Sequence, residues 1–174
     1  LTVEIAPLGA EMTSLRKAGV EYLWHGDAAF WKRHAPVLFP IVGKVYGGRY
    51  RVGGREYELP QHGFARDMRF VTLDASDTEA TLSLSFSEET LRKYPYRFQL
   101  TVRYVLDGNR VRVIWTVGNL GDQTMFYQIG GHPAFLLRDF VAGDAVHGYE
   151  RLEYVTEEDW EALDALRVNR LSRE

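Results

Sequence analysis

Apolar and polar side chains alternate along several stretches of the chain, the period expected when successive residues of a β-strand point to opposite faces. The clearest examples are "ATLSLSF" at 80–86, "TVRYVL" at 101–106 and "RVRVIWTV" at 110–117. Each stretch predicts a strand with one apolar and one polar face, as in antiparallel sheets. A second layer must cover the apolar faces. The pattern therefore predicts an all-β protein, an antiparallel β-sandwich.

Glycine-containing turns between the alternating stretches predict two hairpins. "DGN" at 107–109 joins two strands, and an Asp-Gly turn of this kind favours positive φ at both central residues. Gly53 and Gly54 lie inside "RYRVGGREYELP" and predict a second turn. That turn would place Arg51 opposite Glu56.

Helix signals are few. "SEETLRKYP" offers Ser87 as an N-cap and Pro95 as a stop, so a short helical turn is expected between them. The segment "TEEDWEALDALRVNRL" at 156–171 combines acidic residues at its start with arginines near its end. This distribution complements the helix dipole and predicts a short C-terminal helix.

Composition limits the class of protein. A length of 174 residues suits a single domain over 1–174, and a net charge of −3 argues against nucleic-acid binding. The chain has no cysteine, which excludes disulfides and thiolate chemistry. It has no apolar run of about 18 residues, hence no predicted membrane span. Its first residues lack the pattern of a signal peptide, so we expect a cytoplasmic protein.

Two of the five histidines lie in segments rich in glycine and proline: His62 in "LPQHGFARD" and His132 in "IGGHPAF". Taken alone, each is either a histidine bonded to nearby backbone or a functional group, and the same two readings apply to Arg66 as an ion-pair or ligand-contacting residue. No pair of histidines has the i, i+4 spacing of a helical zinc motif, so no metal site is predicted.

Four aromatic residues early in the chain also have two interpretations. They belong either to the core and the edge of the sandwich or to a surface on which a sugar ring stacks. These residues are Trp24, Phe30, Trp31 and Phe39.

Three runs, in the same order along the chain, resemble the aldose 1-epimerase (galactose mutarotase) superfamily, and within it the branch of LacX-type proteins. They are "LFPIVGKVYGGRY…GREYELPQHGFARD", "EETLRKYPYRFQLTVRYVL" and "NLGDQTMFYQIGGHPAF". The resemblance covers residues 5–149 and leaves 150–174 as a divergent tail. Its most specific feature is "HGFAR" followed about seventy residues later by "GGHPAF".

The resemblance implies a large β-sandwich, the supersandwich, that binds a small-molecule sugar and interconverts its α and β anomers by acid/base ring opening. It implies no cofactor and no metal. By position, His132 resembles the general acid, and His62 resembles the histidine that holds the sugar's hydroxyl and ring region. Arg66 matches an arginine typical of this branch. Lys44 stands where many relatives carry an Asn-Arg pair that contacts the sugar, so the preferred sugar is left open.

The family's general base is a glutamate beyond the histidine motif, and the tail of this chain shows no match to it. Glu157, Glu158 and Glu161 are better explained as the solvated face of a helix. The sandwich is therefore expected to be incomplete. The chain is a fragment of a longer enzyme, a shortened homologue that completes itself as a homodimer, or a sugar-binding remnant.

Three functions follow from these alternatives. The first is an aldose 1-epimerase-like isomerase, and the second is a non-catalytic carbohydrate-binding β-sandwich. The third is a hexose-6-phosphate 1-epimerase, which needs several cations around a phosphate. The available cations are Lys44, Arg49, Arg66 and Arg69.

Overall fold

The computed structural model describes residues 1–136, which form antiparallel strands joined by short turns and one short α-helix. The helix, α1, spans Glu88–Lys93, and single 3₁₀ turns span Tyr46–Gly48 and Ala65–Asp67. The strands are β1 (Thr2–Ala6), β2 (Glu11–Lys17), β3 (Val20–Glu21), β4 (Val37–Leu38), β5 (Arg49–Val52), β6 (Arg55–Glu58), β7 (Val71–Ala75), β8 (Glu79–Ser85), β9 (Phe98–Asp107), β10 (Arg110–Asn119) and β11 (Gly130–Gly131).

Two larger sheets organise these strands. One has the order β10-β9-β8-β7 and the other the order β1-β2-β3, while β11-β4 and β5-β6 form two-stranded sheets. The longest pairing is the β9–β10 hairpin, which runs in unbroken register from Asp107 opposite Arg110 to Phe98 opposite Asn119. Every strand pair is antiparallel, as the alternating pattern predicts.

Both larger sheets supply side chains to one buried cluster. Met12 from β2 and Leu82 and Val102 from β8 and β9 belong to it. The hydroxyl of Tyr104 on β9 donates a 2.7 Å hydrogen bond to the carbonyl oxygen of Ala10, the residue before β2. The prediction of an all-β sandwich is confirmed.

Both predicted hairpins form. Gly53 and Gly54 have φ values of 55° and 78°, and Arg51 pairs with Glu56 as the turn position requires. In the β9–β10 turn only Gly108 has a positive φ, 59°. The expectation of positive φ at both central residues is therefore wrong for this turn, whose glycine-first pattern is that of type II′.

The helix α1 begins and ends where the sequence predicts. The Ser87 side chain accepts a hydrogen bond from the backbone N–H of Thr90, and the Thr90 hydroxyl oxygen accepts from the N–H of Ser87, a reciprocal cap. The helix stops before Pro95. None of the helices among residues 1–136 has the length and apolar composition needed to cross a membrane.

The predicted C-terminal helix at 156–171 lies outside the described residues, as do the tail glutamates. The prediction of one domain over 1–174 also reaches beyond them and stays a prediction.

Candidate active site

Residues 36–40 form a short extended segment, and its first part pairs with the residues that lead to His132. Strand β11 pairs with β4 through Gly130 opposite Leu38 and Gly131 opposite Val37. The next residue continues the pairing, because the N–H of His132 donates a 3.1 Å hydrogen bond to the carbonyl oxygen of Pro36. The backbone from Gly130 to His132 is thus fixed to this segment.

The other end of this segment bonds to the residues that follow His62. The carbonyl oxygen of Phe39 accepts hydrogen bonds from the N–H groups of Phe64 and Ala65, at 3.0 and 3.1 Å. Gly63 forms an isolated β-bridge with Phe39. Its φ is 70°. A Cβ atom at Gly63 would overlap the carbonyl of Phe39 and lie 2.6 Å from the nitrogen of Pro40. Only glycine permits this contact.

The two histidines therefore lie side by side, although about seventy residues separate them in sequence. Their ring centroids are 6.2 Å apart, with an angle of 63° between the ring planes. His132 is exposed and His62 is partly buried. The structure brings these two predicted site residues together.

The backbone of Gly43 fixes the protonation pattern of the His62 ring. The N–H of Gly43 donates a 3.0 Å hydrogen bond to Nδ1 of His62, and the N–H of His62 donates to the carbonyl oxygen of Gly43 at 2.7 Å. Because Nδ1 accepts, the proton of the neutral ring is on Nε2. Nε2 lies 3.3 Å from the side-chain amide nitrogen of Gln61, which is itself a donor and does not accept from Nε2–H. His62 thus presents a hydrogen-bond donor at Nε2.

The environment of His62 also keeps its ring neutral. Partial burial lowers the pKa of His62, and the positive charge of Arg66 and the neighbouring His132 lower it further. The residue has a φ of 63°, a conformation that non-glycine residues rarely adopt and that clusters at functional sites. The paired bonds with Gly43 hold it there.

Arg66 lies on the 3₁₀ turn that follows the His62 motif. Its Nη2 donates a 2.6 Å hydrogen bond to the carbonyl oxygen of Gln61, which ties the turn to the residue before His62. Its Nε is buried without a hydrogen-bond partner, and the closest recorded carboxylate oxygen, on Asp67, is 3.8 Å away. Burial and the nearby Arg33 guanidinium lower the pKa of Arg66. Arg66 therefore supports the His62 loop and adds positive charge to it.

Two other predicted cations differ in their surroundings. Lys44 is exposed and directly follows Gly43, whose N–H binds the His62 ring. Arg49 ion-pairs with Glu56 at 3.2 Å and with Glu58 at 3.1 Å across the β5–β6 hairpin. Arg49 is thus already neutralised by two carboxylates, whereas Lys44 lies next to the histidine loop.

Close packing explains the two glycines before His132. A Cβ atom at Gly131 would lie 3.1 Å from the indole ring of Trp115 on β10, and one at Gly130 would lie 3.3 Å from a methyl group of Val42. A side chain at either position would press on these neighbours. The two glycines allow β11 to pack closely against Trp115 and Val42. The sequence pattern alone did not indicate this packing.

One of the four aromatic residues named from the sequence, Trp31, lies at the candidate site. The ring of Trp31 lies 5.3 Å from that of His132, at an angle of 49°. Of the other early aromatics, Phe39 is fully buried in the core and Phe30 is 81% exposed. The alternation pattern could not distinguish these three environments, because residues 24–31 contain no regular strand and Phe39 follows a strand of only two residues.

Residues 1–136 contain no cluster of histidine and carboxylate side chains that would hold a metal ion. Within the same range, no recorded hydrogen bond or ion pair joins a carboxylate to the ring of His62 or His132. The site as described therefore consists of two imidazoles, an indole and positive charge.

Comparison with known proteins decides the family. The family model for aldose 1-epimerase matches residues 1–167. The chain belongs to the aldose 1-epimerase family. It is also 39% identical over 142 residues to the chromosomal LacX protein of Lactococcus lactis subsp. lactis. The expected resemblance to the LacX-like branch of this family is confirmed.

Solved structures related to this aldose 1-epimerase family member have the same fold. A galactose mutarotase-like protein from Lactobacillus casei ATCC 334 superposes with a TM-score of 0.77 at 41% identity, over 81% of this chain and 49% of that one. A galactose mutarotase related enzyme from Lactobacillus acidophilus gives a TM-score of 0.77 at 39% identity, over 79% and 47%.

The alignment with LacX covers 78% of this chain and 48% of LacX. The chain thus spans about half the length of the curated relatives that it matches.

Proposed function

We propose that this aldose 1-epimerase family member holds an aldose between His62 and His132 and contributes the acid side of anomer interconversion. The observation that carries the proposal is the juxtaposition of two imidazoles from distant segments, with ring centroids 6.2 Å apart. One of them has a fixed tautomer that donates from Nε2. Membership of the family supports a sugar as the ligand.

The chemistry assigns different work to the two rings. His132, as general acid, gives its proton to the ring oxygen O5 while a base removes the proton of the O1 hydroxyl. The C1–O5 bond breaks and C1 becomes an aldehyde. Rotation about C1–C2 and the reverse proton transfers close either anomer. A histidine that titrates near neutral pH can serve in both directions.

His62 suits a binding role rather than proton transfer. Its lowered pKa favours the neutral ring, and its Nε2–H can donate to a sugar oxygen. Arg66 supports that loop, and we propose that its charge and that of the neighbouring Lys44 face the sugar's polar groups. Replacing Lys44 by Ala is expected to raise KM for the sugar with little change in kcat.

The test is anomer exchange followed by NMR or polarimetry with galactose and with glucose. The wild-type protein should accelerate exchange, and His132→Asn should reduce the acceleration by about 10²–10⁴-fold, the usual contribution of a positioned acid. His25→Asn is a matched control, because His25 is exposed and its recorded ring contact is with Trp24. Equal rates in His132→Asn and wild type would end the proposal.

A second candidate is a carbohydrate-binding module without catalysis. It is favoured by the indole of Trp31, 5.3 Å from the His132 ring, since an aromatic face suits the apolar face of a pyranose. Binding of galactose or glucose without accelerated exchange would support this candidate and exclude the isomerase.

A further inference from the structure

A loop formed by residues 24–34, here called the Trp31 loop, is tied at both ends to one residue of the His132 segment. The N–H of Trp24 donates a 2.9 Å hydrogen bond to the carbonyl oxygen of Ala134. The N–H of Ala134 donates to the carbonyl oxygen of His34, also at 2.9 Å. Both ends of the loop are therefore bonded to the backbone of Ala134, two residues after His132.

Hydrogen bonds inside the loop fix the backbone of Trp31. The carbonyl oxygen of Asp27 accepts from the N–H of Trp31 at 2.8 Å, and its carboxylate accepts from the N–H of Ala29 at 2.8 Å. The indole N–H of Trp24 donates to the carbonyl oxygen of Trp31 at 2.7 Å. Trp31 is thus held through both its N–H and its carbonyl group, although the loop has no regular strand or helix.

Held in this way, the ring of Trp31 contacts that of His132, with 5.3 Å between the two centroids. Phe30, the residue before Trp31, is 81% exposed, and its ring lies 6.2 Å from that of Trp24 rather than at His132. No recorded hydrogen bond within residues 1–136 reaches the imidazole of His132. Its recorded ring contacts are Trp31 on the loop and His62.

A general acid must keep its proton aimed at one atom, and a displacement of about 1 Å can reduce a rate by about 10²-fold. We infer that Trp31 is a positioning residue for His132, whose imidazole it holds in the orientation that delivers a proton to the sugar. This inference rests on the proposed function of His132. It adds a residue that acts through the acid and need not touch the sugar.

The kinetic test compares three variants. Trp31→Ala should lower kcat for anomer exchange by about 10²-fold with little change in KM. Trp31→Phe retains an aromatic ring and should restore most of kcat. Lys32→Ala, a control on the other side of Trp31 in the same loop, should behave as wild type because its side chain is exposed. A raised KM with unchanged kcat in Trp31→Ala would make Trp31 a sugar-stacking surface and overturn the inference.

A second measurement does not require activity. The imidazole C–H resonances of His132, assigned with His132→Asn, should carry a ring-current shift that Trp31→Ala removes and Lys32→Ala retains. Asp27→Ala, which loosens the loop but keeps the indole, should reduce that shift. If wild-type protein shows no anomer exchange, the proposed function fails; if the His132 resonances are the same in Trp31→Ala and wild type, the inference about Trp31 fails.

Discussion

Gly63 joins the two histidine motifs, and its replacement by alanine should be among the most damaging small changes in the chain. An alanine there has to adopt a φ near 70°, which costs an L-residue about 1–2 kcal/mol. Its Cβ also collides with the Phe39 carbonyl. Relieving that collision weakens the hydrogen bonds from Phe64 and Ala65 to the same carbonyl, each worth about 1 kcal/mol.

These contributions together amount to about 3–4 kcal/mol of lost unfolding free energy for Gly63→Ala. Gly19→Ala provides the matched control. Gly19 has a similar φ of 78°, but a Cβ atom at that position meets nothing within 4 Å. The control should therefore lose only about 1–2 kcal/mol, the cost of the backbone conformation alone.

Urea unfolding followed by tryptophan fluorescence measures both variants. A Gly63→Ala protein that does not fold, alongside a folded Gly19→Ala protein, would agree with the expected order. Equal losses in the two variants would show that the contact between Gly63 and Phe39 contributes nothing, and would refute the reasoning that joins the two histidine motifs through it.

Three further predictions concern protonation and capping. Burial opposes ionisation of Glu21, but hydrogen bonds from Ser14 and from backbone N–H groups outweigh it and lower its pKa to about 2. Glu21→Gln should cost about 2 kcal/mol at pH 7, after allowance for solvent screening, and urea unfolding should show the difference shrinking as pH falls from 4.5 through 2; a pH-independent difference would contradict this. Long-range ¹H–¹⁵N NMR should show His62 as the Nε2–H tautomer with a pKa below 6.5, so that it protonates only at lower pH; a protonated Nδ1 in the neutral ring would refute the role of Gly43. Ser87→Ala should lower the free energy of unfolding by about 1 kcal/mol, and no loss would argue against the cap.

Local features of the fold could be predicted from the sequence because their causes are local. Alternating side chains specify which face of a strand is buried, as in β9 and β10. Gly53-Gly54 specifies a turn, and the turn specifies the register that places Arg51 opposite Glu56. Ser87 and Pro95 bound a helix that begins and ends between them.

The arrangement of the candidate site could not be derived from such patterns. His62 and His132 meet because residues 36–40 pair with both motifs, and no periodicity in the sequence records a pairing between segments so far apart. Their proximity was expected only from the family resemblance. The contact between Gly131 and Trp115 and the position of Trp31 depend on the same long-range packing.

The central claim is that His62 and His132 bind one sugar, and an NMR titration with galactose or glucose tests it most directly. The account predicts that the imidazole resonances of both histidines shift along a single binding curve with one Kd, while those of the exposed His25 do not move. Shifts in only one of the two rings, or different Kd values for them, would contradict a shared sugar site.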